Sequence, residues 1–140
     1  MTLVRDVMHR GVITCHLQTS VKDVAKIMDA NNVRSVVVTD DRGEVWGIVS
    51  LISILKAWGK DLDKLTAEDI LQPYTVTVSP GSPIDDAVKL LQKKRIEHLV
   101  IVHPGVVRRA VGILTTFDMI EQMAGMSTGV YRRAMELGNE

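Results

Sequence analysis

The chain repeats itself, and that repeat limits what it can fold into more than any other feature. Asp6, Thr14, Asp23, Lys26 and Val37 recur 63 positions later as Asp69, Thr77, Asp86, Lys89 and Val100. A two-residue insertion then raises the offset to 65, where Gly47-Ile48-Val49-Ser50 meets Gly112-Ile113-Leu114-Thr115. Two units of roughly 60 residues are too few and too long for a solenoid. A paired domain with pseudo-two-fold symmetry is the expected outcome.

Each unit shows the same order of elements. Val12-Ile13-Thr14 and Thr75-Val76-Thr77-Val78 are short β-rich runs, the second closed by Ser79-Pro80-Gly81. Helical spacing follows: Val21, Val24, Ala25 and Met28 fall at i, i+3, i+4 and i+7, as do Ile84, Ala87, Val88 and Leu91. Thr19-Ser20 supplies a start signal for the first helix, and Ser82 before Pro83 predicts a capped start for the second. The β-branched runs Val33 to Thr39 and Ile96 to Val102 each enter a turn and a second strand, which predicts hairpins. Gly43 provides the positive φ in the first turn, while the second turn centres on His103-Pro104-Gly105. Helices near Leu51 to Trp58 and Thr116 to Ala124 close the units.

The fold class is therefore α+β, two β-α-β-β-α repeats packed sheet to sheet. Residues 1–60 form the first repeat, 61–124 the second, and 125–140 a tail expected to be helical. Met123, Met126, Val130, Tyr131, Met135 and Leu137 give that tail an adaptable apolar face. It is expected to pack back on the domain or on a dimer mate.

Composition removes several function classes. Seventeen basic side chains balance 17 acidic ones, which argues against a protein devoted to duplex nucleic acid. Lys93-Lys94-Arg95, Arg108-Arg109 and Arg132-Arg133 are the basic clusters, and no array of aromatic platforms accompanies them. With one cysteine, Cys15, neither an intrachain disulfide nor a cysteine-based zinc pattern is available, and a reducing cytoplasm fits. Leu99 to Val102 falls far short of the ~18 apolar residues of a membrane span, and the charged N-terminus does not read as a signal peptide. His9, His16 and His103 lack ligand spacing and read as surface or turn residues, so no metal site is expected. Cys15 and His16 are strand neighbours that point to opposite faces, which excludes a thiol-imidazole pair.

The informative residues lie where each hairpin enters its last helix. Gly112-Ile113-Leu114-Thr115-Thr116-Phe117-Asp118 resembles the motif of cystathionine-β-synthase (CBS) domains: Gly, two apolar residues, Thr or Ser, two variable residues, Asp. Gly47-Ile48-Val49-Ser50-Leu51-Ile52-Ser53 matches apart from Ser53 in place of Asp. The resemblance covers about residues 3–122 and implies a CBS domain pair: intertwined units with two clefts that often bind adenosine-containing ligands, commonly assembled as dimers. By position it implies one cleft from Asp118, Thr115, Ile113, Glu97, His98, Ile13 and Val33. The other would use Ser50, Ser53, Ile48, Arg34, Ser35, Val76 and Ile96.

A carboxylate can accept both vicinal hydroxyls of a ribose in charge-assisted bonds, the role expected of Asp118. Thr115-x-x-Asp118 also has the spacing of a capping box, and one residue can do both. Ile13, Val33 and Ile113 would sandwich an adenine. His98 and Arg34 are the candidates for meeting phosphate. A serine hydroxyl cannot replace a carboxylate before two donors, so the Ser53 cleft is expected to bind weakly or not at all.

The sequence thus reads as a stand-alone, non-catalytic, cytoplasmic regulatory module. It is expected to be a homodimer, to bind AMP or a related ligand (ADP, ATP or S-adenosylmethionine), and to pass occupancy to a protein partner. The competing reading is a ligand-independent dimerisation or interaction scaffold, favoured by Ser53 and the Met-rich tail.

Overall fold

The computed structural model describes residues 1–73 and 77–125. Residues 126–140 of the expected tail and Val76 lie outside the described residues, and Gly125 ends the last helix. Helix α1 (Val4–Val7) and strand β1 (His9–Arg10) lead into β2 (Thr14–His16), α2 (Val21–Asn31), β3 (Ser35–Thr39), β4 (Val45–Ser50) and α3 (Leu51–Ile54). The last continues as a 3-10 turn over Leu55–Ala57. The second repeat runs α4 (Ala67–Ile70), β5 (Gln72–Pro73), α5 (Ile84–Lys94), β6 (His98–His103), β7 (Arg109–Thr115) and α6 (Thr116–Gly125). The fold is α+β with two sheets, as the repeat predicted.

Local chemistry fixes the helix ends. The Ser20 hydroxyl accepts from the Asp23 amide at 3.1 Å and starts α2. At α5 the expected serine cap is absent: Pro83 is the cap residue, and Ser82 instead pairs its hydroxyl with that of Ser79 at 3.0 Å. The Ser82 amide closes a turn onto Ser79 while the Ser82 carbonyl accepts from Val4, so the serine is committed to a turn and to α1. Strand β2 begins at Thr14, later than the expected Val12, which packs between the sheets. In the first hairpin Gly43 takes φ 82°, as the turn requires. Beside it the Trp46 indole donates to Asp40 at 3.1 Å and, as the leading cause, lowers that carboxyl below its ordinary value.

The sheets are ordered β2-β3-β4-β5 and β1-β7-β6. Each is completed by the leading segment of the other repeat. Strand β1 pairs antiparallel with β7, His9 opposite Ile113 and Arg10 opposite Gly112. Strand β5 pairs with β4, Pro73 opposite Gly47 and Gln72 opposite Ile48. The cores follow the same exchange. Ala67 and Ile70 of α4 bury with Val21, Val24, Met28 and Val36 of the first repeat, and Val4 and Val7 of α1 bury with Ala87, Leu91, Leu99 and Leu114 of the second. Between the sheets Val37, Val45, Val100 and Val102 form a third cluster with Val12, Ala110 and Ile113. Each such valine contributes about 1.5–3 kcal/mol on burial.

The exchange explains two glycines of the repeat. A Cβ on Gly112 would stand 2.5 Å from the His9 carbonyl oxygen and 2.8 Å from the Met8 sulfur. A Cβ on Gly47 would collide with the Gln72 carbonyl oxygen and lie 2.8 Å from Leu71 Cδ1. Only glycine lets the exchanged strand approach. Gly112→Ala should therefore cost about 2 kcal/mol, roughly 6–10 °C in Tm, by overpacking against backbone. Gly105→Ala, whose Cβ would meet nothing closer than 3.9 Å, should shift the calorimetric Tm by less than half as much.

Candidate functional site

Both strand-to-helix junctions are reciprocal caps. At α6 the Thr115 amide donates to Asp118 Oδ2 at 2.8 Å, and the Asp118 amide donates to the Thr115 hydroxyl at 3.1 Å. At α3 the Ser50 amide donates to Ser53 Oγ at 2.6 Å, and the Ser53 amide donates to Ser50 Oγ at 3.2 Å. The capping-box spacing is thus realised at both ends of the repeat. Asp118 and Ser53 are each only 3% exposed. Their remaining capacity differs. The Ser53 hydroxyl donates to the Ser50 carbonyl at 3.2 Å, whereas Asp118 has a second carboxylate oxygen, and His9 Nε2 stands 2.6 Å from it.

Between the junctions lies a cavity of about 880 Å³, within the size range of pockets that enclose a ligand of nucleotide dimensions. Its cationic walls are Arg34, Lys94 and Arg95, with His98 beside them and Glu97 as the acidic member. Ile48, Leu51, Ile52, Pro73, Ile96, Phe117 and Ile120 supply apolar surface, and Ser50, Gln72, Thr115 and Thr116 supply neutral polar groups. Arg95 ends α5 in the left-handed region at φ 52°, where the other repeat has Asn32 at φ 51°. An arginine held there costs of order 1 kcal/mol, strain of the kind that collects at ligand sites. The arrangement suits an anion attached to a flat apolar group.

The residues named from sequence are only partly gathered here. Of the Asp118 set, Thr115, Glu97 and His98 line the cavity; of the Ser53 set, Ser50, Ile48, Arg34 and Ile96 do. The two sets therefore open into one space. Ile113 faces the inter-sheet cluster, Val33 packs on the first core, Ser35 is buried at the start of β3, and Ile13 is exposed. Asp118 and Ser53 are buried and do not themselves line the cavity; each is hydrogen-bonded to a residue that does, Thr115 and Ser50. Sequence reasoning missed Lys94, Arg95, Gln72, Leu51, Ile52, Phe117 and Ile120. Gln72 was findable, because the offset of 63 carries it back to His9, and both head exchanged strands.

Burial lowers the His98 pKa from its ordinary 6.5; nearby Glu97 and Asp118 pull it up, and Arg34 pushes it down. The shift makes His98 less protonated than a free imidazole, and so less able to meet phosphate as the partly protonated ring expected from sequence. Elsewhere Cys15 is buried, and burial raises its thiol to about 11. His16 pairs with Asp41 at 2.6 Å. Among the described residues no group of three or more His, Cys, Asp or Glu is placed to hold a metal, and no helix is long and apolar enough to cross a membrane.

Comparison with known proteins gives the family and the fold. The model of the CBS domain matches residues 4–60 and again 67–125. The L-aspartate semialdehyde sulfurtransferase of Methanocaldococcus jannaschii is 30% identical over 125 residues, which span 89% of this chain and 24% of that protein. Protein MK0525 of Methanopyrus kandleri is 30% identical over 121 residues, 84% of this chain and 61% of that one. Among solved structures, the CBS domain pair of protein MJ0100 in complex with 5′-methylthioadenosine and S-adenosyl-L-methionine superposes with a TM-score of 0.79 at 29% identity, covering 90% of this chain and 98% of that one. A conserved protein from Pyrococcus horikoshii gives 0.75 at 25% identity over 87% and 92%.

The lowered pKa of His98 makes folding disfavour its protonation, so this group weakens stability as pH falls through 6.5 toward the folded value. An NMR titration of the His98 ring should give a midpoint below 6.5.

Proposed function

Because the chain belongs to the CBS domain family, we propose that it is a regulatory module that takes an adenosine nucleotide, AMP in the first instance, into the shared cavity. One observation carries this reading: the cavity joins both junction motifs, Ser50 and Thr115, to a cluster of Arg34, Lys94, Arg95 and His98 beside apolar walls. Asp118, bonded to the lining residue Thr115, is the carboxylate offered for the ribose diol once its own partner gives way. Arginines suit the phosphate, with His98 beside them, and the apolar walls suit the base. The two adenosine compounds bound by the CBS pair of MJ0100 support the ligand class. Three cationic side chains against one acidic residue favour a phosphate over their uncharged or sulfonium tails.

The module acts without catalysis of its own, through different affinities of the ligand for two states. The sulfurtransferase named above owes 24% of its length to the matched region, so its chemistry is not carried over. A buried free Cys15 fits a reducing cytoplasm.

A second copy of the chain is the expected partner. Leu51, Ile52, Leu55 and Trp58 after β4, and Phe117, Ile120 and Met123 on α6, are all exposed, Trp58 by 85%. Leu51, Ile52, Phe117 and Ile120 also line one cavity, so the two faces are adjacent. A face made of two equivalent halves is self-complementary under a two-fold axis, and an apolar area of this kind marks an interface. The same face supports the competing reading, a scaffold whose assembly needs no ligand.

A thermal-shift series with AMP, ADP, ATP, S-adenosylmethionine, 5′-methylthioadenosine and GMP tests the first reading. AMP at ~100 times its Kd should add about 2.7 kcal/mol, on the order of 5–10 °C. Asp118→Asn and Arg34→Ala should each weaken AMP about ten- to a hundredfold, as loss of a charged hydrogen bond does. No shift with any adenosine compound makes the scaffold the surviving reading. Light scattering should give twice the chain mass for the native protein and the single-chain mass for Ile52→Glu.

A further inference from the structure

The occupied carboxylate of Asp118 calls for a different account from the cavity. Oδ2 accepts the Thr115 amide at 2.8 Å, and Oδ1 faces His9 Nε2 at 2.6 Å. Asp118 is 3% exposed, while the His9 side chain is 65% exposed. A ribose therefore finds both oxygens already engaged, one by a helix cap and the other by a side chain that solvent can reach. His9 belongs to β1, an exchanged strand of two residues held on β7, with the next amide, Gly11, donating to Val111 at 2.9 Å. The repeat makes the comparison direct. Gln72, the counterpart of His9, stands on the exchanged strand opposite Ile48 and lines the cavity beside a junction that has Ser53 and no carboxylate.

We propose that His9 is the affinity-determining gate of the Asp118 cleft: its imidazole holds the oxygen that a ribose must take, so adenosine binding displaces His9 and loosens β1 from the second sheet. The proposal rests on the adenosine reading above. It gives His9 a role that its isolated position in the sequence did not suggest. The closed pair lowers apparent affinity in proportion to the time it spends closed. Binding is thereby coupled to the N-terminal segment, whose α1 is buried in the second core with Leu91 and Leu114.

Acid should tighten the gate, since an imidazolium bonds a carboxylate more strongly than a neutral ring does. Other charges bear on the same place. His98 is close enough to feel Asp118, and Glu97 and Arg34 act on His98; Arg10 is the neighbour of His9 on β1. These groups remain when His9 is replaced, so the difference between native protein and variant isolates His9.

The test is calorimetric titration of AMP into native protein, His9→Ala, His9→Gln and Asp118→Asn at pH 7.5 and 6.0, with Tm confirming that each is folded. His9→Ala should bind about tenfold tighter than native protein at pH 7.5, with a smaller loss at pH 6.0, and His9→Gln should fall between. Hydrogen exchange at the Gly11 amide should speed up in native protein when AMP binds. Binding by His9→Ala where native protein shows none would also support the gate. Asp118-dependent binding by native protein with no gain in either His9 variant overturns the gate and leaves the adenosine reading intact. Absence of binding in all four proteins overturns both.

Discussion

At Gly112 the His9 backbone lies so close that no side chain fits between, and at Gly47 the Gln72 backbone does the same. Each contact seals a sheet with a strand from the other repeat, at an edge that would otherwise expose unpaired backbone groups. The helices α1 and α4 travel with those strands and bury in the opposite cores. Neither repeat therefore owns a complete hydrophobic core, and the two must fold together. The same contacts carry His9 to Asp118 and Gln72 to the cavity beside Ser50, so the device that closes the sheets also places a side chain near each junction.

Duplication would make the two junctions alike, and the differences between them are electrostatic. Ser53 reproduces the backbone geometry of Asp118, including both capping bonds, but spends its hydroxyl proton on the Ser50 carbonyl. Asp118 keeps a charged oxygen beyond the cap, and that charge is buried. Burial of an unpaired carboxylate is expensive, which gives His9 a structural reason to stand where it does before any ligand arrives. The cations Lys94 and Arg95 lie at the end of α5, and Arg34 just after α2. The negative ends of both helix dipoles favour them there.

Much of this was legible in the sequence because the repeat and the hydrophobic periods state it locally. The hairpin turn at Gly43, the α2 start at Ser20 and the cap spacing at Thr115 and Asp118 each depend on residues within a few positions. The α5 start was misjudged at Ser82 because its competitor, the α1 backbone, lies about 80 positions away in sequence. The exchange was legible only through the resemblance, since no local pattern says which sheet a two-residue strand will join. At the site the motif singled out Asp118 and Thr115 as candidates but could not show that Thr115 and Ser50 line one cavity. It also could not show that His9, alone in sequence, meets Asp118 across the sheet. Arg95 was hidden for a similar reason: its left-handed backbone turns it to the cavity rim, and local sequence at that position reads as a solvated basic run.

One cavity touching both junctions has a consequence for regulation. Leu51, Ile52, Phe117 and Ile120 line it and at the same time belong to the exposed apolar face. A ligand that packs against these side chains from within would share them with whatever covers the outer face. If a second copy covers that face, ligand and partner bias the same pair of helix starts, and each changes the affinity of the other by the same factor. A coupling of 1–3 kcal/mol, typical of such systems, corresponds to about a 5- to 150-fold change in affinity. Small movements suffice because close-packed helix faces shift between discrete arrangements rather than deform smoothly. If the ligand also takes the Asp118 oxygen that His9 now meets, as proposed, β1 becomes a second lever, and binding would bear on the exchanged strand that completes the second sheet as well as on the apolar face.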